Sequence, residues 1–206
     1  MAVRIRDVGS HDLDSVLALN NAAGPTILPL TAAALRQLFD QACYFRVAEV
    51  DGHIAGFLLA LDQDADYDSP NFRWFRERHP QFVYIDRIVI ARPSRGLGLG
   101  RVFYADVTSY AETRSPELTC EVFLEPQDDV SMLFHGTSGF LEVGQQVMPN
   151  TGRRVALLAK TLCSYPFVRD TYLHGGAGRL PDLPWLRERD RAHHPAVRTT
   201  RAVGGA

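Results

Sequence analysis

Glycine stands at positions 96, 98 and 100 of the stretch "RPSRGLGLGR" (92–101), with arginine on both flanks. Glycine loses more conformational freedom on folding than any other residue, so this density needs a reason. The run before it, "FVYIDRIVIA" (82–91), is apolar and β-branched and predicts a strand. The run after it, "RVFYADVTSYAETR" (101–114), is apolar at helical spacing. A helix starting near residue 100 leaves its first N–H groups unpaired, and its dipole favours an anion there. Glycines let the preceding amides fold inward and let a bulky anion approach without meeting a Cβ. The segment Arg95 to Arg101 therefore reads as a diphosphate cradle at a strand-to-helix junction, against the plainer alternative of a tight turn.

Two familiar nucleotide patterns fail on this loop. The dinucleotide fingerprint GxGxxG needs glycine three residues after Gly98 and finds Arg101. The P-loop needs lysine and then Ser or Thr after its last glycine, whereas Arg101 and Val102 follow Gly100. The loop also comes mid-chain, after several strands, where the first unit of a dinucleotide fold would not stand.

Around the loop, patterning predicts a strand over Val3–Asp7, a helix over 10–22 capped by Ser10, and a second helix from the cap Thr31 to about Ala42. Residues 44–62 have the alternation of a hairpin turning at Asp51-Gly52. Residues 63–81 are polar, with an aromatic cluster of Phe72, Trp74 and Phe75 and little strand character. A strand over 118–124, a short helix over 128–138 and two strands around Asn150-Thr151-Gly152 complete the order βααβββαβαββ, a mixed α/β domain.

The length of 206 residues, 46% of them hydrophobic, suits one globular domain over 1–162. Residues 163–206 hold seven Arg against four Asp or Glu, among glycine-rich punctuation, and read as a basic extension. Pro166–Leu173 and Trp185–Leu186 are its parts suited to docking on the body. A net charge of −2 gives no reason to expect nucleic acid or a membrane surface. No apolar run reaches the roughly 18 residues of a membrane span. Cys43, Cys120 and Cys163 are odd in number and widely spaced, and the start of the chain lacks a signal core. The expectation is a reduced, cytoplasmic protein with no metal site.

Arg95-Gly96-Leu97-Gly98-Leu99-Gly100 fits R/Q-x-x-G-x-G/A and so resembles the coenzyme A pyrophosphate loop of the GNAT superfamily of N-acetyltransferases. "YIDRIVIARPSRGLGLGRVFYADV" is similar to that family's strand–loop–helix core, "CEVFLE" to its next strand, and "SMLFHGTSGFLEVG" to its last helix and Gly-Phe. The resemblance covers roughly residues 3–162. It implies a mixed, mostly antiparallel sheet of six to seven strands, with one splayed parallel pair and flanking helices. It implies acetyl-CoA as cofactor, its pantetheine arm lying in the splay against the backbone of Ile88, Val89 and Ile90. Arg95, Gly96, Leu97, Gly98, Leu99, Gly100 and Arg101 would then hold the pyrophosphate.

The implied reaction is attack of an amine on the acetyl thioester, the acceptor being a small-molecule amine or a protein lysine. A lysine-like amine, with pKa near 10.4, is about 0.1% neutral at neutral pH, a cost of roughly 4 kcal/mol that a base must offset. Glu121 is the first candidate base, because some family members carry a catalytic glutamate in that strand. Asp86 is the second, unless it simply pairs with Arg87. His135 occupies the position where the family usually places a tyrosine that protonates the leaving thiolate, and imidazole is chemically adequate there. Tyr104 and Tyr110 read as core tyrosines, and Asp128 stands where many members have asparagine. By the same resemblance the acceptor cleft falls to residues 20–30, 66–75 and 144–153. Asn20 and Asn21 would hydrogen-bond the acceptor or merely cap a helix. Tyr67, Phe72 and Trp74 would wall a pocket, pin a long connection or form a homodimer contact. Asp64, Asp66 and Asp68 would give an acidic rim suited to a cationic amine. The alternative function is a non-catalytic acyl-CoA sensor.

Overall fold

The computed structural model describes residues 2–173 apart from 126 and 150. Asp51 and Gly52 both take positive φ, 49° and 84°, the backbone that a two-residue hairpin turn requires. They join β2 (Tyr44–Val50) to β3 (His53–Asp62). β1 (Val3–Asp7) pairs with β2, and β3 pairs with β4 (Val83–Ile90). Beyond β4 come β5 (Glu117–Phe123), β6 (Leu141–Val147) and β7 (Arg154–Thr161). The seven-stranded sheet has the order β1-β2-β3-β4-β5-β7-β6, and every neighbour is antiparallel except β4 and β5.

Because side chains alternate along a strand, the sheet builds a core on each face. One face packs Val16 of α1 (Leu13–Asn21) and Leu35 and Leu38 of α2 (Ala32–Gln41) over Val47, Phe57, Leu59 and Tyr84. The other packs Phe103 and Val107 of α4 (Leu99–Ala111) over Leu58, Ile85, Leu118 and Cys120. α5 (Asp129–Thr137) lies on this second face through Met132 and Phe134.

Two local expectations need correction. The polar connection 63–81 contains a helix, α3 (Pro70–Arg78), with Ser69 Oγ accepting from Phe72 N and proline at its first position. Phe72 and Phe75, one turn apart, are buried beneath it. Ser10 does not cap the first helix; a short 3₁₀ turn over Ser10–Asp12 stands there, and the Asp12 carboxylate accepts from Gly9 N and from Arg6. α4 begins at Leu99, at the expected start, and the last two glycines belong to its cap and first turn. In the basic extension, α6 (Tyr165–Tyr172) buries Tyr165, whose hydroxyl donates to Gln81 Oε1 at 3.0 Å. Trp185 and Leu186 lie outside the described residues. Among the described residues no helix is long and apolar enough to cross a membrane.

Candidate active site

β4 and β5 are paired only at Val83–Leu118 and Tyr84–Thr119, and then they part. The register of β3 on β4 passes from Leu59–Arg87 to Ala60–Ile85, so Asp86 is an extra residue in β4. Such a bulge bends its strand and re-aims side chains, and here it sits where the two strands diverge. The other edge of β4 stays bonded to β3 through Ile88, Val89 and Ile90, leaving the divergent edge to a ligand. A cavity of about 100 Å³ occupies the gap, lined by residues 85–88 of β4 and 120–123 of β5. That volume suits a slender chain rather than a bulky ligand. Because the gap passes between strands, it joins the two faces of the sheet. Glu121 reaches it from the face carrying Tyr84, and Tyr104 and His135 reach it from the face carrying Cys120.

At the C-terminal end of β4 the chain makes a 3₁₀ turn over Arg92–Ser94 and enters the glycine loop. Gly96 and Gly98 have φ of 81° and 79°, so side chains other than glycine would be strained there. A Cβ at either would meet nothing within 4 Å, so the space above them is open to a ligand. Gly98 is the N-cap of α4, and the amides of Leu99, Gly100 and Arg101 form the first turn, without intrahelical partners. A Cβ at Gly100 would come 3.3 Å from the Phe134 ring, which keeps α5 close to the loop. Arg95 folds back, its Nε donating to Ile90 O at 3.3 Å. These features fit the pyrophosphate of coenzyme A, held mainly by backbone.

The Glu121 carboxylate accepts a short hydrogen bond from the Tyr84 hydroxyl. Burial and the neighbouring charge of Asp86 push its pKa up to about 7, although Tyr84, Asn71 and Arg87 favour the charged form. Asp86 itself is fully engaged. Its Oδ1 accepts from Tyr67 Oη at 2.6 Å and its Oδ2 from Arg87 Nε at 2.6 Å. Arg87 is in turn held by Asn20 Oδ1 at 2.9 Å and Leu28 O at 3.3 Å.

His135 is buried, 6% exposed. Its Nδ1 lies 2.7 Å from Ser131 O, which can only accept, so Nδ1 carries a proton. Burial lowers the imidazole pKa, so the ring is neutral at pH 7 and Nε2 is an acceptor. The Tyr104 hydroxyl, 2.6 Å away, donates to it. The Ser-Gly-Phe turn explains the placement: Gly139, at φ 87°, reverses the chain, and Phe140 packs edge-on against both His135 and Tyr104. Asp128 caps α5, accepting from Ser131 N at 3.0 Å.

The residues singled out for the acceptor fall into two groups. Asn20 and Asn21 fix the 20–30 loop, Asn20 Nδ2 donating to Asn21 Oδ1 and Leu28 O, and Asn21 bonding Leu30 through both side-chain atoms. Phe72 is fully buried in an aromatic cluster with Phe82 and Tyr84, away from the cavity surface. Tyr67 and Trp74 do not line the cavity either: Tyr67 donates to Asp86, which does, and Trp74 packs against Gly144 of β6. Arg153 Nη1 donates to Pro25 O at 2.9 Å, so the 20–30 loop and the β6–β7 turn meet above the cavity. Asp68 pairs with Arg73 at 3.0 Å, while Asp64 and Asp66 are exposed. Tyr84, Tyr104 and Asn71 are the site neighbours that the sequence did not reveal. Tyr84 alone carried a local cue, lying two residues before Asp86 on the predicted strand and so on the same face.

A parallel strand pair that parts, with an amide cradle at its mouth, is the arrangement of the acetyltransferase class of fold. Residues 14–140 match the model of the acetyltransferase (GNAT) family, and the chain belongs to that family. No curated protein matches it in sequence. In structure it is similar to the ribosomal-protein-S18-alanine N-acetyltransferase of Escherichia coli, with TM-score 0.60 and 13% identity over 78% of this chain and 94% of that one. It is also similar to Ard1 of Thermoplasma volcanium, with TM-score 0.63 and 16% identity over 79% of this chain and 99% of that one. Arabidopsis thaliana Naa50, solved with the bisubstrate analogue CoA-Ac-MVNAL, gives 0.62 and 14% over 78% and 99%. At these identities the likeness is one of fold.

Proposed function

We propose that this protein is an N-acetyltransferase that transfers the acetyl group of acetyl-CoA to a primary amine, with Glu121 as general base. When bound, acetyl-CoA supplies an activated thioester; the amides of residues 96–101 hold its pyrophosphate, and the free edge of β4 holds its arm. The observation carrying this reading is the Glu121 carboxylate lining the gap between β4 and β5, bonded by Tyr84, where burial and Asp86 raise its pKa to about 7. Glu121 takes the amine proton onto its carboxylate, and Tyr84 stabilises the charged form beforehand. Asp86, committed to Arg87 and Tyr67, acts through its charge rather than as a base. At the other end, Tyr104 Oη holds the transferable proton, and neutral His135 orients it. A base near 7 serves an α-amine, pKa about 8, better by roughly 3 kcal/mol than an ε-amine near 10.4.

Thiol release from acetyl-CoA with a panel of α-amines, polyamines and lysine peptides tests the reading. Acceptor-dependent release, fastest for α-amines, is the expected outcome. Saturable cofactor binding with no release across the panel would instead make the protein a sensor. Gly98→Glu, which puts bulk and negative charge into the cradle, should abolish coenzyme A binding by calorimetry; undiminished binding would overturn the loop assignment.

A further inference from the structure

Asn71 of α3 is fully buried, at 0% exposure. Its Oδ1 accepts from Gln146 Nε2 of β6 at 3.0 Å. That bond turns Nδ2 away from β6, and Nδ2 has no hydrogen-bond partner although it is buried. An orphaned buried donor costs about 1–3 kcal/mol, so its retention calls for a use. Asn71 is close enough to Glu121 to favour its charged form, although no hydrogen bond joins the two. The opposite amide flip would set donor against donor at Gln146 and aim a carbonyl oxygen at a carboxylate. α3 is seated against β6 a second time, one turn on, where a Cβ at Gly144 would come 2.7 Å from the Trp74 ring. The helix is thereby braced on two points, and the Nδ2 donor between it and the sheet is left unpaired.

We propose that Asn71 is a positioning residue whose Nδ2–H donates to the ionised Glu121 carboxylate, with Gln146 holding the amide in aim. The assignment rests on the reading of Glu121 as base and adds the element that tunes and orients it. Other groups also face Glu121: Tyr84 donates to it, Asp86 opposes its charge, Arg87 favours it, and the hydroxyl of Tyr67 and the thiol of Cys120 lie near. Asp86 and Arg87 are locked to each other, so their combined effect is a fixed background on which a change at Asn71 can be read.

Two measurements on the full chain test this together. The first follows the Glu121 side-chain carboxyl carbon by NMR through a pH titration, assigned with Glu121→Gln. The second is the pH profile of kcat/KM with an α-amine acceptor. In Asn71→Leu the NMR midpoint should rise by about one pH unit, and the acid limb of the rate profile should follow it. The rate at pH 6.5 should fall about tenfold and largely recover above about pH 8. Gln146→Leu, at a half-buried strand position, should move the midpoint the same way by less, and Asn71→Ser, which keeps a donor, should partly restore it. A midpoint unmoved in both Asn71→Leu and Gln146→Leu overturns the proposal; should Asn71→Leu fail to fold, Gln146→Leu decides alone. If the midpoint moves but the wild type acetylates no amine, the positioning role stands and the transferase reading fails.

Discussion

The two ends of the cavity handle protons in opposite ways. On the face of α1–α3, burial and Asp86 raise a carboxylate toward neutrality, while Tyr84 donates to it. On the face of α4 and α5, burial lowers an imidazole, and Tyr104 donates to that as well. Desolvation thus drives an acid up toward neutrality and a base down away from it, so the carboxylate becomes able to exchange a proton while the imidazole stays neutral. The lesson is that a tyrosine hydroxyl serves each end, but for different tasks. Tyr84 steadies a group that must become charged, whereas Tyr104 keeps its proton in a hydrogen bond to a ring that stays neutral.

The strongest way to break this contrast is Glu121→Gln, which removes the proton acceptor and leaves the shape. Steady-state assays should show kcat/KM falling about 10²–10⁴-fold, with coenzyme A affinity unchanged by calorimetry. The same substitution should stabilise the fold. A carboxyl raised from 4.5 to about 7 costs the native state stability as pH rises through that window, by up to about 3 kcal/mol, and less where cavity water screens it. Urea unfolding at pH 8 should show the gain, and at pH 4 it should vanish. Next in size, Tyr104→Phe should lower kcat about tenfold and His135→Phe by less, because Tyr104 keeps its proton without the imidazole. Equal losses would return the donor's role to the histidine. The smallest effect is the pH dependence of the other end. A lowered imidazole pKa contributes stability that is present above about pH 6.5 and lost as pH falls below it. His135→Phe should flatten that acid slope in thermal melts.

The fold was legible because its signals are local. The glycines of the loop, the Asp51-Gly52 turn and the apolar, β-branched run of β4 each act within a few residues, and a family resemblance joined them. α3 escaped because its apolar positions are few and its face is full of arginine, although Ser69-Pro70 is a sound helix start and Phe72 and Phe75 sit one turn apart. Of the site, Glu121 and His135 were reachable by position. Their hydroxyl partners were not, since the Tyr104 contact joins residues 31 apart and that of Tyr84 joins residues 37 apart. Asn71 had no signal at all, because an asparagine in a polar connection looks like any turn residue until the helix beneath it exists.

The extra residue at Asp86 has a consequence for how a ligand enters. Because the kink belongs to the folded strand, the slot stands ajar beforehand and nothing need be pried apart on arrival. Occupancy should therefore slow amide exchange along one margin of β4 while its hinge with β3 exchanges as before. Removing that single residue would restore the even register of the strand, draw the slot closed, and take its carboxylate out of the site.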